Sequence, residues 1–189
     1  MTIPTWPNLV TMFFEQADKQ GDKPFLWEKS DGAYGAMTWR EAAKRTSDLA
    51  YGLLEMGIEP TDRIILVSEN RADWLISDVA IMAIGAITVP AYTTNTVEDH
   101  LHIISDSGSK AALISTHKLA ENFIPAAVDA GNIAFIASME PQPENQQSSN
   151  IGFEALTFDD LIARGSARNE SIAGHATQWK RDDLACIIY

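Results

Sequence analysis

Apolar residues recur every three or four positions over several segments of the chain, and this spacing predicts amphipathic helices. The first predicted helix follows Asn8, a residue that commonly caps helix N-termini. The second follows Thr38, and Glu41 three residues later completes a capping-box pattern. Gly21 and Gly57 are suited to end these two helices. The whole pattern predicts helices over residues 9–20, 39–56, 72–84, 97–107 and 118–130, and a shorter helix beginning near residue 157.

Short apolar runs between the predicted helices indicate β-strands. Two of them flank Asp31-Gly32, a pair that favours a tight turn, and so predict a β-hairpin. Others are apolar at every position, as expected for parallel strands covered on both faces. Strands are predicted over residues 25–27, 36–38, 63–67, 87–89, 111–114, 133–136 and 184–189. Because strands and helices alternate, the sequence predicts an α/β fold with a layered, mostly parallel sheet flanked by helices.

The chain is predicted to comprise three segments. Residues 1–136 form an α/β subdomain, and residues 182–189 form a final strand. Between them, residues 137–181 are expected to be an insertion made of a surface loop and a short helix. The loop prediction rests on residues 139–150, which are rich in proline, glutamate, glutamine, asparagine and serine.

The composition of the 189-residue chain is that of an ordinary globular protein, with 46% hydrophobic and 21% charged residues. Its 14 basic and 26 acidic residues give a net charge of −12, which argues against binding to nucleic acid. The most apolar stretch, residues 74–92, is interrupted by Asp78 and has the pattern of a helix, a turn and a strand. It is therefore not predicted to span a membrane.

The single cysteine and the other reactive side chains reveal no active site. Cys186 is the only cysteine, so a disulfide within the chain is excluded and a reducing compartment is favoured. Because its neighbours are apolar, Cys186 is expected to be buried. The sequence has no glycine-rich phosphate loop, no Gly-x-Ser-x-Gly turn and no cluster with metal-ligand spacing. His100 and His102 are two positions apart on a predicted helix, so their side chains should diverge. From the residues alone, we predict neither a catalytic residue nor a metal ligand.

Four segments resemble the acyl-adenylate-forming superfamily of AMP-binding enzymes: residues 38–41, 62–74, 83–96 and 104–110. Within them, the pattern Glu-Asn-Arg-x-x-Trp and the later Val-Pro-Ala-Tyr-x-Thr are most similar to long-chain fatty-acyl-CoA ligases. The resemblance implies the N-terminal subdomain of such an enzyme. It also implies the reaction, in which ATP and a fatty acid give acyl-AMP and pyrophosphate, and coenzyme A then gives acyl-CoA and AMP.

The last residues, 183–189, resemble the strand that leads into the phosphate loop of this family. That loop, the adenine- and magnesium-binding segments and the C-terminal domain would follow Tyr189. We therefore expect an N-terminal fragment, inactive alone, that contains no catalytic residue of the family. ATP, Mg²⁺ and coenzyme A would serve the full-length enzyme, and none is expected to bind this fragment tightly. Tyr189 is the one candidate cofactor-binding residue, because it would flank the phosphate loop.

The resemblance also sets the expected partners and location. The partners are a fatty acid, the C-terminal remainder of the enzyme and, through surface that truncation would uncover, a second copy of the chain. The expected location is the cytoplasm, with peripheral contact to a membrane left open. Two alternatives remain: a stand-alone, non-catalytic binding domain on the same scaffold, and an unrelated flavodoxin-like or Rossmann-type nucleotide-binding protein. The sequence lacks the glycine fingerprint that is usual in Rossmann-type proteins, which gives the second alternative no support.

Overall fold

The computed structural model describes residues 5–30, 32–141 and 152–189. Within these ranges the helices are α1 Leu9–Gln20, α2 Trp39–Glu55, α3 Ala72–Ala83, α4 Val97–Ser107, α5 His117–Ala130, α6 Phe158–Ser166 and α7 Ala173–Ala176. The strands are β1 Pro24–Ser30, β2 Ala33–Thr38, β3 Arg63–Val67, β4 Ile87–Ala91, β5 Ala111–Ile114, β6 Phe135–Ser138 and β7 Glu154–Thr157. Most of the predicted surface loop over residues 139–150 lies outside the described residues, as does Asp31 of the predicted turn.

Two sheets are built from these strands. β1 and β2 pair antiparallel, which confirms the predicted hairpin. The other five strands are all parallel and lie in the order β4-β3-β5-β6-β7. The chain passes from β3 to β4 on one side and then crosses to β5 on the other side of β3. This topology confirms the predicted α/β fold with a parallel sheet flanked by helices.

Alternate residues of the inner strand β3 contribute to two separate hydrophobic cores. Ile64 and Leu66 belong to the core that includes α1, α2, α3 and α6, whereas Ile65 and Val67 belong to the core that includes α4 and α5. All four side chains are fully buried. Strand geometry points successive side chains to opposite faces of a sheet. This segment of β3 is therefore apolar at every position because both faces are covered.

Helices α2 and α6 cross with their backbones in direct contact. Gly52 of α2 faces the Leu161 carbonyl, and Gly165 of α6 faces the Asp48 carbonyl. A methyl group at either glycine would overlap these backbone atoms. The glycines are needed here for their lack of a side chain, since neither has a positive φ. The contact holds α6, which directly follows β7, against the core that includes α1, α2 and α3.

The last residues form a single bridge to the sheet instead of the predicted strand over residues 184–189. Thr88 of β4 pairs with Cys186. The Thr88 N–H donates to Ala185 O at 3.1 Å, and the Ile187 N–H donates to Thr88 O at 3.0 Å. Cys186 is exposed, so the prediction of a buried cysteine was wrong. Ala185 and Ile187 are half-buried, whereas the Cys186 side chain points to the opposite, solvent-exposed side of the segment.

Other elements also differ from their predictions. Strand β7 was not expected within the 137–181 segment, and β6 begins at Phe135 instead of residue 133. β4 continues through Pro90, which was expected to end it. Thr88 directs its N–H and C=O to the C-terminal segment, and Pro90, two residues later, faces the same way. Its missing N–H therefore removes no hydrogen bond to β3.

In the described ranges, no helix combines the length and apolar character needed to cross a membrane.

His100 of α4 is buried with one ring nitrogen unsatisfied. The residue is 2% exposed and meets Phe123 of α5 edge-on, with ring centroids 5.1 Å apart. Its Nδ1 has no hydrogen-bond partner among the described residues. Burial lowers the pKa of His100, and the nearby Asp99 carboxylate offsets only part of this effect. The folded state therefore favours the neutral imidazole.

We predict that Gly165→Ala destabilises the fold, because the added methyl group must push α6 away from α2. Overpacking typically costs about 1–3 kcal/mol, and overlap with backbone atoms favours the upper part of that range. Urea unfolding followed by circular dichroism measures the loss. Gly174→Ala is the matched control, because Gly174 also lies in a helix and a methyl group there would meet no atom within 4 Å. Equal unfolding midpoints for the two variants would contradict the contact.

We also predict that His100 makes the fold less stable in mild acid. The unfolded chain binds a proton near the ordinary histidine pKa of about 6.5, whereas folded His100 resists protonation. The free energy of unfolding therefore falls as the pH drops below that value and stays unaffected above it. His100→Leu should flatten this pH dependence in urea titrations. His102→Leu, at an exposed position of the same helix, should leave it unchanged, and equal slopes for both variants would refute the assignment.

Candidate functional site

The carboxyl ends of β3 and β5 meet at the point where the strand order reverses. The chain leaves β3 through α3, which packs on one face of the sheet, and leaves β5 through α5, which packs on the other. In open α/β sheets, ligands bind in the crevice that this divergence creates. Here the crevice opens into a cleft of 740 Å³. Its walls are hairpin residues 26–29, the β3–α3 residues 69–72, and Thr116 after β5.

A polar network centred on Ser115 joins the two loops beneath the cleft. Ser115 is fully buried directly after β5, and its hydroxyl donates to the Glu69 carboxylate. Its carbonyl accepts a hydrogen bond from Arg71 Nη1 at 3.4 Å. The Ser115 hydroxyl lowers the pKa of the Glu69 carboxyl, with smaller contributions from the Glu69 backbone N–H and the Arg71 charge. Glu69 is therefore an anion at neutral pH, held in place from the neighbouring strand.

The N-termini of α3 and α5 flank this network, and each already carries a carboxylate from elsewhere in the chain. Arg71, the residue before α3, makes no capping hydrogen bond, and the Ala72 N–H donates instead to Glu28 Oε1 of the hairpin at 2.7 Å. At α5, the His117 N–H donates to Glu140 Oε2 at 2.7 Å. A carboxylate at a helix N-terminus satisfies free N–H groups and complements the helix dipole.

These residues do not fit a nucleoside triphosphate and its metal ion. A phosphate site needs free backbone N–H groups or unbalanced cations, yet Glu28 and Glu69 balance Lys29 and Arg71 around the cleft. Across the described part of the chain, no group of three or more His, Cys, Asp or Glu side chains is arranged to hold a metal ion. No catalytic step is therefore assigned to residues of this cleft.

Tyr189, the predicted cofactor-binding residue, is not among the residues that line the cleft. Its hydroxyl donates to Asp106 Oδ2 at 2.7 Å, and its ring meets His102 edge-on at a centroid distance of 5.9 Å. It thus packs against α4. Burial raises the pKa of Tyr189, and the Asp106 carboxylate adds to that rise. Its predicted place beside a nucleotide stays a prediction.

The residues that the structure brings together at the cleft were not predicted as a site. A usable signal was present, because polar residues directly follow two buried strands: Ser68, Glu69 and Asn70 after β3, and Ser115 and Thr116 after β5. The carboxyl ends of parallel strands meet at one edge of a sheet, so these residues lie close together whenever the strands are neighbours.

Comparison with known proteins agrees with this architecture. The family model described as AMP-binding enzyme matches residues 13–189, nearly the whole chain. The chain belongs to the AMP-binding enzyme family. This confirms the resemblance drawn from residues 38–41, 62–74, 83–96 and 104–110.

Curated relatives of this family member include ligases named for long-chain fatty acids. It is 34% identical over 106 residues to the long-chain-fatty-acid–CoA ligase FadD15 of Mycobacterium tuberculosis, a match that covers 56% of the chain and 18% of that relative. It is 22% identical over 191 residues to the long-chain-fatty-acid–[acyl-carrier-protein] ligase AEE15, chloroplastic, of Arabidopsis thaliana, covering 97% of the chain and 26% of the relative. The matched parts of the chain thus span only 18% and 26% of the length of these two relatives.

A solved structure confirms the fold of the chain. The benzoate CoA ligase from Burkholderia xenovorans LB400 superposes with a TM-score of 0.73 at 22% identity, over 95% of this chain and 32% of that one. At this identity the likeness concerns the fold alone. The parallel sheet and its flanking helices are therefore shared with that ligase.

We predict that Ser115→Ala raises the pKa of the Glu69 carboxyl, because the variant removes the hydrogen bond that does most to lower it. The pKa should move up towards the ordinary glutamate value of about 4.3. A carbon-detected NMR titration of the Glu69 side chain measures the shift. Ser68→Ala is the matched control, because the Ser68 hydroxyl donates to the Glu69 backbone carbonyl and not to its carboxylate. An unchanged Glu69 pKa in Ser115→Ala would rule out the network.

Proposed function

We propose that this chain is the N-terminal part of a long-chain fatty-acid–CoA ligase. Such an enzyme joins a fatty acid to AMP with release of pyrophosphate and then transfers the acyl group to the thiol of coenzyme A. The observation that carries the proposal is the 34% identity over 106 residues to a long-chain-fatty-acid–CoA ligase. The two motifs most similar to fatty-acyl-CoA ligases, at residues 69–74 and 89–94, point the same way.

Within that enzyme, the chain described here acts as a scaffold. The N-termini of α3 and α5 at the carboxyl edge of the sheet each donate an N–H to a carboxylate of the chain, Glu28 and Glu140, and the charged residues that line the cleft balance one another. The groups that hold ATP, Mg²⁺ and coenzyme A would therefore come from other segments of the ligase. Mg²⁺, when bound, would offset negative charge that develops on the phosphates during adenylation.

The C-terminal bridge provides a surface on which such segments would pack. Leu184 and Ile188 are 60% and 71% exposed, on the same side of the segment as Cys186. Ala185 and Ile187, which alternate with them, are already half-buried against the sheet. An exposed row of apolar side chains next to a sheet edge favours addition of further strands or helices.

We predict that residues 1–189 alone will not form acyl-AMP, because the described residues provide no site for a nucleotide and its metal ion. A longer protein that contains this chain and the remaining ligase segments should release pyrophosphate when given ATP, Mg²⁺ and a long-chain fatty acid. A coupled pyrophosphate assay, followed by mass spectrometry of acyl-CoA, measures both steps.

The acid supplied to this assay separates the proposal from its competitors. Hexadecanoate should be activated in preference to benzoate and to hexanoate. Preference for benzoate would keep the ligase family and refute the fatty-acid assignment. Pyrophosphate release by residues 1–189 alone would refute the scaffold role.

A further inference from the structure

A second cavity lies between the first turn of α1, the α3–β4 turn and the residues that precede the C-terminal bridge. Its volume is 550 Å³, and none of its lining residues belongs to the cleft at the carboxyl ends of β3 and β5. Most of its wall is apolar. The main apolar side chains are those of Trp6, Leu9, Met12, Met82, Ile87 and Trp179.

Specific hydrogen bonds hold these walls in place. Asn8 Nδ2 donates to the carbonyls of Ala176 and Trp179, at 2.7 and 2.8 Å, and so ties α1 to the C-terminal segment. Trp179 Nε1 donates to Ala83 O at 2.9 Å. The Trp179 ring lies so close to Gly85 that a methyl group there would collide with it. The cavity is therefore preformed by tightly packed walls.

One end of the cavity is cationic. Lys180 and Arg181 line it, together with a single carboxylate from Asp183. The Asp183 carboxylate accepts the Lys180 backbone N–H at 2.7 Å, and Arg181 Nη2 donates to Trp6 O at 3.1 Å. Neither side-chain cation forms an ion pair with a carboxylate of the described residues. The first turn of α1 adds the positive end of a helix dipole. This local positive charge contrasts with the net charge of −12 of the chain.

We propose that this cavity binds a single-chain anionic amphiphile. The alkyl chain would lie against the apolar wall, where Leu9 is 61% exposed in the free protein, and the head group would lie beside Lys180 and Arg181. Burial of the alkyl chain supplies most of the affinity, and the two cations orient a carboxylate or phosphate head group through charge-assisted hydrogen bonds. The site is separate from the cleft at the carboxyl ends of β3 and β5, with which it shares no lining residue.

Isothermal titration calorimetry with three twelve-carbon amphiphiles tests the head-group chemistry, with each amphiphile kept below its micelle concentration. Dodecanoate or dodecyl phosphate should bind one site per chain, and dodecyltrimethylammonium should bind about tenfold more weakly or not at all. The tighter of the two anions identifies the preferred head group. Absence of binding by both anions, or equal binding of the cation, would overturn the proposal.

A pair of matched variants tests the location. Leu9→Glu places a carboxylate in the cavity wall at an exposed position, and should raise the dissociation constant of the better anion about tenfold or more. Val128→Glu makes the same change at a 47% exposed position of α5, outside the cavity, and should keep wild-type affinity. Circular dichroism of both variants verifies the fold. Equal affinities for the two variants would refute binding at this cavity.

Sedimentation velocity without ligand tests whether a second copy of the chain fills the cavity instead. The proposal expects wild-type protein and Leu9→Glu to have the same oligomeric state. A wild-type dimer that Leu9→Glu dissociates would show that the apolar wall is a protein interface and would overturn the ligand site.

Discussion

A parallel sheet has to be covered on both faces, and the inner strand β3 shows how this sheet meets that requirement. Its consecutive residues from Ile64 to Val67 are fully buried and alternate between two cores. Coverage of both faces requires that the chain cross over the sheet in two directions. α3 therefore lies on one face and α5 on the other, and the crevice between the ends of β3 and β5 follows from this divergence. The position of the candidate cleft is thus a consequence of how the sheet is buried.

Elements with a local signal could be predicted from the sequence. The capping box at the start of α2 is present, with the Thr38 hydroxyl accepting the Glu41 N–H and the Glu41 carboxylate accepting the Thr38 N–H. β7 had no such signal, because only one residue of Glu154–Thr157, Leu156, is buried and its neighbours are polar or small. The Gly52–Gly165 contact could not be predicted either. It depends on how α2 and α6 cross, and the spacing of residues along the chain does not encode that geometry.

The candidate site was less predictable than the fold, because it depends on strand order. The sequence shows polar residues after β3 and after β5, but the Ser115–Glu69 hydrogen bond requires that these two strands be neighbours. Tyr189 was placed by resemblance, and its observed partners on α4 became evident only from the path of the final segment. That path also explains the exposure of Cys186. An apolar run predicts burial on both sides, whereas here only the alternate residues Ala185 and Ile187 are half-buried, and Ile187 packs against the core that includes α4 and α5.

We propose that residues 1–189 are a scaffold required by a long-chain fatty-acid–CoA ligase whose catalytic groups lie in other segments. Acyl-CoA formation from hexadecanoate, ATP and coenzyme A should be compared in the complete ligase, in the ligase lacking residues 1–189, and in that truncated form after addition of this chain. We expect product from the complete ligase, none from the truncated form, and recovery of some activity when the chain is supplied separately. Full activity of the truncated form would contradict it, because the sheet described here would then be dispensable.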